Sequence, residues 1–337
     1  MTVHPLKSRF PSVRHWILLG SLALGFSSLR TATAVEAPSA KSVPPGLDAV
    51  EQPSGCLVTE NGQNVLFYQR TAKSLDGQRP RAHYIHPLYD LDGRILTEDF
   101  PPDHLHQRGI FWAWHQIKVG EKSVGDSWGT RDFQYDVTDL KVSRPDPDSI
   151  RLTATVLWKS PRWLDAGGGK KPYVRETTTV DIHAASSTAR AIDFHIHLEA
   201  LEDGLRIGGS NDEKGYGGFS PRLRFPRNLR FTGRNGIVQP KETAVDAGPW
   251  IDFSGSFGDT DDVSGVAILC HPSLPDFPSK WILRDKAGMQ NAAYPGRVPV
   301  LVPREKPLDL RYRLIIHKGD EKQAEIARRQ AKYERMK

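Results

Sequence analysis

In PPDHLHQRGIFWAW, residues 101–114, two histidines stand one residue apart beside an acid, an arginine and an aromatic run. Two imidazoles at that spacing can divide acid and base roles on a substrate or ligate one metal ion. Asp103 or Glu98 would orient one ring through its second nitrogen, and Arg108 would bind a carboxylate or a sugar hydroxyl. If the stretch is extended, residues two apart share a face, so His104 and His106 lie side by side, as do Trp112 and Trp114. An indole so placed either stacks on a pyranose ring or fills the core. A lone histidine would read as a structural residue. This density on a segment stiffened by Pro101 and Pro102 reads as a site, with His104, His106 and Arg108 as its catalytic members and Trp112 and Trp114 as its platform.

Three further clusters interrupt the apolar pattern. In RAHYIHPLYDLDGRILTEDF, Asp92-Gly93 signals a turn between Tyr89 and Ile95. His83 and His86 stand nearby, and His86, extended ahead of Pro87, either faces a cleft or caps a strand end. Residues 208–225, GGSNDEKGYGGFSPRLRF, bracket Asp212, Glu213 and Lys214 with glycines, which suits a loop approaching a ligand. The spacing of a phosphate-cradling loop is absent. There Glu213 would be an acid–base partner, with Lys214 and Arg222 binding substrate. In CHPSLPDFPSKWILRD, His271, Trp281 and Arg284 could line a pocket mouth. The alternation Asp193, His195, His197, Glu199 resembles a metal comb but reads as the solvent face of a strand.

These residues need a scaffold, and its period is two. In AIDFHIHLEAL, Ile192, Phe194, Ile196 and Leu198 alternate with polar neighbours, and in LDLRYRLIIH, Leu308, Leu310, Tyr312, Leu314 and Ile316 do the same. Such runs, bounded by Gly, Pro, Asp and Asn, predict an all-β fold, a large antiparallel β-sandwich. The last fifteen or so residues alone read as helix, docking through Ala324, Ile326 and Ala327. The two cysteines, Cys56 and Cys270, either join in one disulfide or are separate buried thiols.

Residues 1–34 carry Lys7, Arg9 and Arg14, an apolar run from Trp16 to Leu29, and the small-residue site Ala32-Thr33-Ala34. That is a secretory signal-peptide layout, cleaved near Ala34, which predicts export to the periplasm or the exterior. A membrane span needs about 18 or more apolar residues, so no stable membrane insertion is expected. Removing Lys7, Arg9, Arg14 and Arg30 takes the formal charge from +6 to +2. Without a basic face, nucleic acid is not an expected partner. Residues 35–53 read as a flexible leader and 54–337 as one domain of a size that buries a full core.

The blocks HPLYDLDGRILTEDFPPDHLHQRGIFWAW, NDEKGYGGFSPRLRF, WIDFSGSF with GVAILCHPSLPDFPSKW, and LRYRLIIHKGD resemble a bacterial family of unknown function often labelled PmoA-like methane oxygenase. The likeness runs from Gly55 to Asp320. The label itself does not transfer, because the membrane subunit it names has spans that this chain lacks. The family pattern resembles Pro-x-Asp-His-x-His-His-Arg, and Gln107 stands here where a third histidine is common. Its Asp-x-Lys-Glu-Gly pattern appears as Asp212-Glu213-Lys214-Gly215, with the carboxylate and ammonium exchanged.

The expected function is an exported carbohydrate-active enzyme of hydrolase, lyase or epimerase type, by analogy with aldose-mutarotase supersandwiches. Its substrate would be a carbohydrate or other small polar molecule. The alternatives are a divalent-metal enzyme with His104, His106 and His86 as ligands, or a non-catalytic glycan-binding module.

Overall fold

A computed structural model describes residues 45–286 and 288–336; the expected signal peptide lies outside them. Of the expected leader, Leu47–Gln52 is a strand paired with Gly55–Glu60. Leu47 is buried in the core, which fixes the segment to the sheet from that residue onward.

Two antiparallel sheets carry the fold. The eight-stranded sheet runs, in spatial order, Leu47–Gln52, Gly55–Glu60, Gln63–Gln69, Tyr84–Leu88, Ile110–Trp114, Gly217–Pro221, Met289–Ala293 and Lys280–Arg284. The nine-stranded sheet runs Gln134–Ser143, Ser149–Lys159, Val174–His183, Ala189–Ala200, Leu308–Lys318, Ser264–Cys270, Trp250–Ser256, Arg227–Gly233 and Gly236–Ile237. A four-stranded and a two-stranded sheet complete it.

Burial alternates in Ser149–Lys159, Val174–His183 and Ala189–Ala200 as the period-two pattern requires, whereas Leu308–Lys318 is buried on both faces from Tyr312 to His317 because the outer side of that sheet is also covered. Ile192, Phe194, Ile196 and Leu198 are buried while Asp193, His195, His197 and Glu199 are not. Aromatic rings knit the two inner faces together: Trp112 meets Phe194, Trp114 meets Trp158, and Phe219 stacks on Tyr312 at 4.7 Å between centroids. Cys56 and Cys270 are separate free thiols within this core, and burial pushes them up to about 11 and about 12.

A carboxylate also sits in the core. Glu176 Oε1 accepts from His83 Nε2 and Trp112 Nε1, each at 2.7 Å, and from Thr178, while Oε2 accepts from Trp158 Nε1 at 2.8 Å. Tyr68 is 2.6 Å from the other nitrogen of His83. His83 is therefore a core residue, its ring filled on both sides.

The helix is Ile326–Tyr333, shorter than expected, and it begins after Glu325 in a left-handed conformation. Ala324 and Ile326 dock on Trp250, Ala267, Leu269 and Ile315 of the nine-stranded sheet's outer side. Ala327 is exposed, and Gln330 and Tyr333, one and two turns beyond Ile326, take the buried positions instead. No described helix is long and apolar enough to cross a membrane.

Candidate functional site

The Ile110–Trp114 strand divides its side chains between two worlds. Ile110, Trp112 and Trp114 point into the core, whereas Phe111 and Ala113 face the opposite side with Tyr84, Trp128 and Met289. Trp112 is 1 % and Trp114 0 % exposed, and their indole N–H groups donate to Glu176 and to the Tyr294 carbonyl. Neither is a sugar platform. They share a face as expected, but the facing aromatic residues of the second sheet claim it.

The 98–108 loop closes over the start of that strand. Asp99 bridges to Arg108, and Gly109 N–H donates to the Glu98 carbonyl at 2.8 Å. Gly109 has φ 51°, and a Cβ there would lie 2.0 Å from the Ile85 carbonyl oxygen, so only glycine fits. Between these anchors the chain turns twice, with His104 N–H donating to the Pro101 carbonyl and Gln107 N–H to that of His104. The stretch is therefore not extended. The turns still set the His104 and His106 rings edge to face, 5.7 Å apart.

Arg222 fastens the loop. It donates from Nε to Glu98 Oε2 at 2.7 Å, from Nη1 to Gln107 Oε1 at 2.8 Å, and from Nη2 to Asp103 Oδ1 at 2.7 Å. Only 4 % of the residue is exposed, so it positions the loop instead of meeting substrate. Gln107, where the resembled family has histidine, is buried on this guanidinium. Arg108, expected to bind substrate, is structural too. Its guanidinium is fully buried, paired with Asp99, and stacked 3.4 Å from the centroid of Phe100.

What remains open is the histidine pair. Asp103 Oδ2 lies 2.9 Å from His104 Nδ1, an orientation that keeps a proton on Nδ1 and leaves the Nε2 lone pair for a substrate. The His104 side chain is 46 % exposed. His106 differs: burial, reinforced by the guanidinium groups of Arg81 and Arg79, pushes its imidazole down to about 3. It is neutral at physiological pH, so its ring N–H is able to donate a hydrogen bond to a substrate without carrying charge. His86 is likewise lowered to about 4, burial first, and its Nδ1 is held by Thr97 Oγ1 at 2.9 Å.

Two ionisable residues on this side had no role in the sequence reading. Arg81 is 1 % exposed and donates to the carbonyls of Ser127 and Trp128, while its Nε and Nη1 have no hydrogen-bond partner. His115 pairs with Asp126 at 3.1 Å. Counting in twos from Phe111 through Ala113 would have found His115.

The remaining expected members lie elsewhere. The loop holding Glu213 and Lys214 enters the Gly217–Pro221 strand at the end paired with Trp114, whereas the histidine loop enters the neighbouring Ile110–Trp114 strand at Ile110, which pairs with Pro221. At roughly 3.3 Å per residue, those anchors are about 13 Å apart. Glu213 and Lys214 line a separate cavity of about 530 Å³ with Asp276, Lys280 and Arg297, and no residue of the 98–108 loop lines it. Burial raises the Asp276 carboxyl there. His271 is spent on the C-terminal segment, with Ser273 Oγ at 2.8 Å and the Met336 carbonyl at 2.9 Å. His86, His104 and His106 do not converge on one point; among the described residues, the His/Cys/Asp/Glu group that does is His195, His197 and Asp309.

In comparison with known proteins, a family model described as a family of unknown function (DUF6807) matches residues 56–331. Nothing in that match links the chain to PmoA-like proteins. No curated protein matches it.

Proposed function

For this chain, which belongs to the DUF6807 family, we propose a proton-transfer enzyme that acts on carbohydrates by epimerisation or elimination. The observation that carries the reading is the unequal histidine pair. Asp103 turns a free His104 nitrogen outward, while burial and surrounding cations keep His106 neutral beside it. His104 then takes a proton from a carbon next to a carbonyl or carboxylate, and His106 donates a hydrogen bond to the oxygen where negative charge develops; the enolate either regains a proton from water on the opposite face of that carbon, which gives the epimer, or expels its β-oxygen substituent as the C=C forms, the leaving alkoxide taking the proton that His104 carries. A neutral imidazole as electrophile has precedent in principle, because it stabilises an oxyanion without giving its proton away.

Hydrolysis has less support than in the sequence reading. It calls for two free carboxyl groups flanking one bond, and Glu98, Asp99 and Asp103 are all engaged by arginines. A glycan-binding module loses the two platforms it required, since Trp112 and Trp114 are core residues. The signal-peptide layout of residues 1–34 supports export, and an extracytoplasmic polysaccharide fragment is the substrate class that fits. The test is turnover of a panel of aldoses, uronic acids and their oligomers, read as epimer formation or as a new unsaturated sugar. Wild type converts at least one of them, and His104→Ala loses about 10²–10⁴-fold. A panel left untouched, or full activity in His104→Ala, rejects the proposal.

A further inference from the structure

On the outer face of the nine-stranded sheet, two histidines and an aspartate present ligand atoms to a common point. Alternation puts His195 and His197 on one face of the Ala189–Ala200 strand, and the antiparallel register sets Asp309 of Leu308–Lys318 directly opposite His197. Asp309 Oδ1 is 2.6 Å from His195 Nε2 and 2.9 Å from His197 Nδ1, and the three ligand atoms lie within 4.8 Å of one another.

We propose that His195, His197 and Asp309 bind a divalent transition metal of the zinc class. Two imidazoles and one carboxylate are a donor set that such ions favour over calcium or magnesium. Bonds of about 2.0–2.2 Å place ligand atoms of a tetrahedral ion roughly 3.3 Å apart, so these must open by about half an ångström. The side chains have that freedom, with His195 48 %, His197 29 % and Asp309 45 % exposed.

The groups behind the ligands point the same way. His197 Nε2 is 3.5 Å from Glu199 Oε1, and Arg175 Nη1 holds the other Glu199 oxygen at 3.1 Å. A neutral His197 has one N–H for two carboxylates. If it donates to Asp309, its other lone pair faces Glu199. With a cation at Nδ1 the proton sits on Nε2 toward Glu199, the arrangement in which an outer carboxylate orients a metal-bound imidazole. Three protein ligands leave a coordination position for water or a second ligand. The ion would join two neighbouring strands through their side chains, away from the His104–His106 pair.

Calorimetric titration of the chelator-treated mature chain with zinc chloride alone is the test, with thermal unfolding as a second readout. Expected is one equivalent bound and a raised unfolding temperature. His195→Ala and Asp309→Asn should each weaken binding about tenfold or more while His104→Ala leaves it in place. Absent stoichiometric binding, binding that survives both sheet substitutions, or binding abolished by His104→Ala would each overturn the assignment. Both sheet positions are solvent-exposed, so unfolding curves without zinc distinguish lost ligation from lost fold.

Discussion

His104 and His106 have the same side chain and opposite surroundings, and that difference is the substance of the site. Nitrogen-15 NMR of the imidazoles checks it without a substrate: His106 should remain neutral until the pH falls to about 3, while His104 should hold its proton on Nδ1, beside Asp103. Asp103→Asn keeps the shape but removes the charge that orients the ring, so it should lower turnover while leaving the fold intact, as a thermal scan would show. The residue types and spacing of this pair were legible in the sequence because the two histidines and their orienting acid are neighbours in the chain. Arg108 and Arg222 were not distinguishable there from substrate-binding arginines. What decides their roles is Asp99, Glu98, Asp103 and Gln107 arriving through the fold.

The loop and its strands set the scale on which the pair is held. Gly109→Ala forces a Cβ against the Ile85 carbonyl and a left-handed backbone on alanine, and should cost more than about 1 kcal/mol in urea unfolding. Arg222→Lys retains a charge but cannot reach three acceptors in a fork. A shift of the loop by an ångström would lower activity by about 100-fold, and the acceptors left unpaired in this buried network should lower the unfolding temperature as well. Alternation revealed strands such as Ser149–Lys159 and Ala189–Ala200, of which one face is buried against the second sheet. It could not reveal which face: Trp112 and Trp114 go inward because Phe194 and Trp158 await them from strands far along the chain. Nor did spacing show the double turn at 101–107, which is made by two backbone hydrogen bonds.

The sandwich as a whole closes around a charge. Hydrogen bonds and His83 hold the Glu176 carboxyl below its usual range despite complete burial, which alone would raise it. A carboxyl depressed in the folded state contributes stability above its unfolded pKa and loses it as the pH falls through the folded one. Urea unfolding should therefore show stability declining below about pH 4.3, less steeply in Glu176→Gln. Glu176→Ala, which strands His83 and two indole N–H groups, should cost about 3–5 kcal/mol. The all-β architecture was legible from end to end of the described chain, but the gathering of a site was only half legible. Neighbours in sequence stayed together, whereas the 211–215 loop entered the opposite end of the same strand pair. The claim that this fold exists to hold a proton-transferring histidine pair is tested most directly by carbon-bound deuterium, measured by NMR after incubating uronic acids and aldoses with the protein in heavy water. Wild type should either place solvent deuterium at one sugar carbon or yield an unsaturated sugar that has lost the hydrogen there, and His104→Ala should do neither. Either change produced equally by both proteins, or neither change in wild type across the panel, would contradict it.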